Sequence, residues 1–131
     1  MKVYVPDNRP EVVLFDTESK KGQILIEDKN SVFFVMQTSL TQEWAVVSRM
    51  PADPEDARGA SEEKLLFYIP QKRLVYNPQY GKNAYLIAIE ADGENEQVQW
   101  IIDDDKTVSV SLKELKEVCI KDTQACTATP A

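Results

Sequence analysis

Apolar residues in this chain fall in short runs rich in β-branched and aromatic side chains, and polar turn residues separate the runs. That is the signature of strands rather than of long amphipathic helices. It predicts strands over residues 2–5, 12–15, 23–27, 32–37, 44–50, 64–69, 73–76, 84–90, 97–102 and 107–110. Turn chemistry lies between them at Asp28-Lys29-Asn30, at Asn77-Pro78 through Gly81, at Asp92-Gly93, and at Asp103-Asp104-Asp105. Residues 39–50 carry two patterns. Leu40, Trp44 and Val47 share a helical face, and Ser39 with Gln42 imitates a capping box. Trp44, Val46, Ser48 and Met50 alternate instead, and the β-branched pair Val46-Val47 beside Trp44 favours the strand.

The hairpin over residues 84–102 has the most specific pattern. Asp92-Gly93 suits a two-residue I′ turn, whose central positions both need positive φ. That turn pairs Ala91 with Glu94, Ile87 with Val98 and Tyr85 with Trp100. Tyr85, Ile87, Ile89, Val98, Trp100 and Ile102 then form the core face, with Tyr85 opposite Trp100 as an aromatic cross-strand pair. A shift of one residue would bury glutamines and expose the tryptophan.

One helix is predicted over residues 112–121. Ser111 is its N-cap and Glu114 sits at N3, a capping box. Leu112, Leu115, Val118 and Cys119 share its apolar face. Strands in series ending in one amphipathic helix predict a β-rich α+β fold, an antiparallel sheet rolled into a partial barrel and closed by the helix. The layout is analogous, by architecture alone, to pleckstrin-homology-like or SH3-like barrels. Residues 1–121 read as a single domain with a surface excursion at 51–61, where Asp53, Pro54 and Gly59 could frame one helical turn. Residues 122–131 read as a flexible tail.

Charge is unevenly distributed. The 131 residues hold 15 basic and 22 acidic side chains, a net charge of −7, and no histidine. Residues 83–131 hold 4 basic and 10 acidic, which accounts for −6 of that total. Glu90, Asp92, Glu94, Glu96, Asp103, Asp104 and Asp105 occupy a window with no positive charge. The hairpin separates them into two acidic tips about 20 Å apart, at about 3.3 Å per strand residue.

The absence of histidine removes Ser-His and Cys-His nucleophile pairs, an imidazole base, and His-ligated metals. Asp103, Asp104 and Asp105 offer oxygen ligands, but no D-x-D-x-D-G loop with a distal glutamate accompanies them. The four glycines are too far apart for a phosphate-cradling loop, and Ser109 and Ser111 lie in no G-x-S-x-G elbow. No cofactor or metal is expected, and enzyme activity is disfavoured. Lys72, Arg73 and Lys82, interleaved with Tyr76 and Tyr80, could grip a single strand of nucleic acid. In an acidic chain that is the least favoured reading, and a Pro/Gly turn with tyrosines folded onto the core is preferred.

Cys119 and Cys126 fit no C-x-x-C pattern, and two free thiols, with Cys119 buried on the helix, are expected over a disulfide. The start lacks an apolar signal segment and no run approaches a membrane span, so a cytoplasmic protein with no membrane partner is expected. The function that best fits is non-catalytic: a small acidic protein that binds a basic protein surface, as an inhibitor, immunity or antagonist protein, or regulatory subunit. Glu94, Glu96, Asp103, Asp104 and Asp105 are the candidate partner-binding residues. The competing reading is a ligand-binding barrel or carboxylate-based enzyme with a pocket under the 51–61 loop. The pattern leaves a homo-oligomer open.

Overall fold

The computed structural model describes residues 2–6, 20–52, 62–103, 105–121 and 126, together with the backbone of 11–16. All ten expected strands form: β1 Lys2–Tyr4, β2 Glu11–Asp16, β3 Lys21–Glu27, β4 Ser31–Thr38, β5 Trp44–Pro51, β6 Glu63–Tyr68, β7 Arg73–Leu74, β8 Tyr85–Asp92, β9 Asn95–Ile102 and β10 Lys106–Ser111. They make three sheets, ordered β1-β2-β3, β4-β5-β6-β7 and β10-β9-β8. The fold is therefore mostly antiparallel sheet with one short C-terminal helix. Among the described residues no sheet closes on itself into a barrel. The chain divides into two compact units, Met1–Arg73 and Leu74–Ala131, and the division falls within β7. The 53–61 excursion lies outside the described residues, as does most of the 122–131 tail.

In the first unit β5 and β6 lie inside their sheet. Trp44, Ala45, Val46, Val47 and Ser48 are all buried, as are Leu65, Leu66, Phe67 and Tyr68. Two-sided burial demands near-continuous apolar sequence, so the alternation expected of residues 44–50 does not appear in their burial. Trp44 faces Tyr68 across the ladder, with ring centroids 4.8 Å apart. Ser39 belongs to the β4–β5 turn rather than to a helix. Its N–H donates to the Trp44 carbonyl at 2.8 Å, and its Oγ accepts from Trp44 N–H at 3.1 Å. A bulge between Val35 and Gln37 interrupts the β4–β5 register.

In the second unit the β8–β9 ladder differs from expectation in two steps. The pair next to the turn is Asp92 with Asn95, and Ile89, not Ile87, faces Val98. The turn centres on Gly93 and Glu94, with positive φ at Gly93 alone, where a II′ connection places glycine. This two-residue slip preserves the faces, because side chains alternate with period two. A bulge between Leu86 and Ala88 then inserts one residue and reverses the faces beyond it. Leu86, not Tyr85, lies opposite Trp100, and Tyr85 is 71% exposed.

Ser111 caps the helix as expected, its Oγ accepting from Glu114 N–H at 3.0 Å. The α-helix α1 spans only Leu112–Leu115 and continues as a π-helix over Lys116–Ile120. The wider turn changes which residues point inward. Leu112, Leu115, Cys119 and Ile120 are buried, while Val118, expected on the core face, is 46% exposed. α1 packs on β9 and β10, where Val98, Trp100 and Ile102 are buried. No described helix is long and apolar enough to cross a membrane.

Candidate functional site

β9 separates the acidic residues into two groups at its opposite ends. Glu94 is exposed in the β8–β9 turn, while Glu96, two residues on, is half-buried and engaged by a partner. At the other end Ile102 pairs with Lys106, leaving a three-residue connection. Asp103 and Asp105 are exposed there, and Asp104 lies outside the described residues. Asp103 has φ of 48°, a left-handed conformation that aspartate tolerates better than most side chains. Its place in the sequence thus has a local conformational reason as well as a charge. The two tips stand on the order of 20 Å apart along β9. They form two edges of one sheet rather than one cluster.

Between the tips, the face turned away from the core is polar. Gln97 pairs with Glu90 and Ser111, and Gln99 with Ala88 and Ser109. Gln99 Nε2 donates to the Glu90 carboxylate at 2.9 Å, so this acid is held by a cross-strand hydrogen bond. Exposed Tyr85, paired with Ile101, gives the same face an aromatic end that the expected register had placed in the core. Arg49 makes ion pairs with Asp28 and Glu63 in the first unit. Glu94, Asp103 and Asp105 are exposed and have no salt-bridge partner among the described residues.

A cleft of about 220 Å³ opens elsewhere in this unit, lined by the Asn77–Tyr80 turn, by Val108, Ser109 and Val110 of β10, and by Glu114, Leu115 and Val118. Asn77 builds its wall: the buried side-chain Oδ1 accepts from Gln79 N–H at 2.9 Å and Tyr80 N–H at 3.0 Å. The Asn77-Pro78 dipeptide signalled a turn but not a cleft, because β10 and the helix supply the other wall. The volume is below the roughly 300 Å³ at which small-molecule pockets usually begin. The pocket expected under the 51–61 loop falls on residues outside the description.

The basic segment is divided between the two units. Lys72 is exposed at the end of a 3₁₀ turn, Ile69–Gln71, with φ of 53°. Arg73 is half-buried and engaged, and Lys82 is exposed in the following unit. Tyr76 and Tyr80 are half-buried. Among the described residues no group of three or more acids or cysteines could hold a metal ion, and no buried side-chain nitrogen or oxygen lacks a hydrogen-bond partner. Ser111, one of the two serines considered as nucleophiles, uses its hydroxyl as the helix cap.

The cysteines require a correction. Cys119 is buried as expected, but it is bonded to Cys126 rather than free, with Cα atoms 5.4 Å apart. That separation is within the range a disulfide bridges. The α-helical spacing already placed Cys119 on the inner face; what it did not reveal is the bond to Cys126. Cys126 is also tied by its carbonyl, which accepts from Tyr76 N–H at 2.9 Å.

Comparison with known protein families, curated proteins and solved structures finds no match for this chain.

Proposed function

We propose that this protein acts by binding a protein with a basic surface, through the acidic edges of the β8–β9–β10 sheet. The observation that carries the reading is the exposure of Glu94, Asp103 and Asp105 at the two ends of one hydrogen-bonded ladder, without salt-bridge partners among the described residues. Charges fixed on a strand frame keep their spacing, which favours complementarity to a structured surface over capture of any cation. The unit Leu74–Ala131 contains 10 acidic and 5 basic side chains, so its long-range field also attracts a basic partner. An inhibitor, an immunity or antagonist protein, and a regulatory subunit all work in this way. The reading needs no cofactor.

The test is a charge change that respects the backbone. Glu94→Lys and Asp105→Lys are combined with Asp103→Asn, since asparagine keeps the left-handed position of Asp103 accessible. Basic proteins captured on the wild-type chain are then measured for association rate against both forms. The variant is expected to associate at least about tenfold more slowly at low ionic strength, with the difference closing as salt is raised. Equal rates for the two forms, with the variant shown to be folded by circular dichroism, would remove the acidic edges from the function.

A further inference from the structure

Two irregular pieces of backbone lie at the two ends of one covalent bond. Cys119 sits within the π turn, Lys116–Ile120, and Cys126 has a left-handed φ of 60°. Neither conformation is the one its sequence prefers. Between Ser111 and Lys121 there is no proline or glycine, and Leu112, Leu115, Val118 and Cys119 repeat at ordinary α spacing. π turns are rare, and a left-handed cysteine is uncommon, so both need an external hold. The disulfide joins them, and the Tyr76 N–H bond to the Cys126 carbonyl adds a second tie at that end.

We propose that the Cys119–Cys126 disulfide is a redox latch: it holds the last helical turn in the π form, and a dithiol reductant releases that turn into a regular α-helix. A thiolate of the dithiol attacks Cys126 Sγ, the less buried of the two sulfurs, and forms a mixed disulfide. The protein S–S bond breaks, and Cys119 leaves as a thiolate that takes up a proton. The second thiolate of the reagent then attacks its own bonded sulfur, closing a cyclic disulfide and expelling the Cys126 thiolate, which is protonated in turn. The protein gains two electrons and two protons, and the dithiol loses them.

Release acts on the cleft from both sides. Rewinding to α turns Val118, which lines the cleft, toward the core and carries Ile120 outward. Freeing Cys126 removes the acceptor of Tyr76 N–H, immediately before the Asn77–Tyr80 turn that forms the opposite wall. The latch is independent of the acidic edges, so it stands or falls without any partner protein.

The test uses the full chain in three forms: oxidised, reduced with dithiothreitol, and carrying Cys126→Ala without reductant. Scalar couplings across backbone hydrogen bonds report whether amides near Ile120 bond five residues back or four. The oxidised chain is expected to show the five-residue pattern, and the other two the four-residue pattern. Exchange of the Tyr76 amide is expected to quicken at least about tenfold on reduction and to recover on reoxidation. Persistence of the five-residue pattern after the bond is opened overturns the proposal. So does global unfolding of the reduced chain, seen as loss of near-ultraviolet dichroism, because the bond would then be a structural staple. If Cys126→Ala does not fold, the reduced wild-type chain decides.

Discussion

Asp28 shows how one side chain organises a turn and makes it sensitive to pH. Its Oδ2 accepts from Ser31 Oγ at 2.7 Å and its Oδ1 from Asn30 N–H at 3.0 Å, closing the β3–β4 turn. The hydrogen bond from Ser31 lowers its pKa most, followed by that from Asn30, while Arg49 adds a smaller Coulombic pull and desolvation opposes them. Hydrogen bonds and a cation all favour the ionised carboxyl. A carboxyl whose folded-state pKa is depressed contributes stability that is present above its unfolded value, here 3.8, and lost as pH falls through the lowered folded value. Asp28→Asn keeps a side-chain oxygen for Asn30 but removes the charge facing Ser31 and Arg49. The variant is expected to melt below wild type at neutral pH, with the gap in Tm narrowing as pH drops below 3.8. A gap constant across that range would show that the charge contributes nothing. Asp103 differs, because its left-handed φ gives it a conformational role at a turn whether or not a partner reads its charge.

At the scale of elements, local chemistry was legible and long-range geometry was not. Every strand could be read from its apolar run, and the Ser111 cap from its spacing to Glu114, because those signals lie within a few residues. The cap predicts that Ser111→Ala costs about 1 kcal/mol, read as a shift in denaturant midpoint with unchanged slope. An unchanged midpoint would mean that packing of Leu112 and Leu115 alone holds the helix start. The β8–β9 register was missed by two residues because Asp92-Gly93 and Gly93-Glu94 both offer glycine to a turn. The period-two faces tolerate that slip without exposing Val98 or Trp100. The bulge that turns Tyr85 outward has no marker in sequence, since Ile87 suits a strand on either face. The π turn and the Cys119–Cys126 bond are short in sequence but carry no local marker, since the cysteine spacing fits no C-x-x-C pattern and the helix reads as ordinary α. Of the candidate site, sequence located Glu94, Asp103 and Asp105 at strand ends but not the half-buried setting of Glu96.

Across the whole molecule, most of the net charge lies in one unit and a row of exposed apolar side chains lies in the other. Leu74–Ala131 carries −5 of the net −7, while Met1–Arg73 is near balance and carries an apolar row on β4. Val32 and Phe34 alternate on one face of that strand, Met50 pairs with Val32, and Met36 follows at the bulge; all four are exposed. β4 ends its sheet in the described order, so the row lies along an edge strand, the element most prone to pair with another molecule. At neutral pH net charge opposes such association, and near pH 4.6, where it vanishes, that protection is lost. Concentrated protein is therefore expected to scatter more light as pH approaches 4.6. Unfolding through Asp28 is not the cause, because that contribution persists until below 3.8. Phe34→Lys, at a side chain 51% exposed, is expected to reduce the scattering severalfold while changing stability by no more than about 0.5 kcal/mol. If the variant scatters as strongly as wild type at equal stability, the β4 row is not what associates, and loss of charge on the acidic unit must be sufficient by itself.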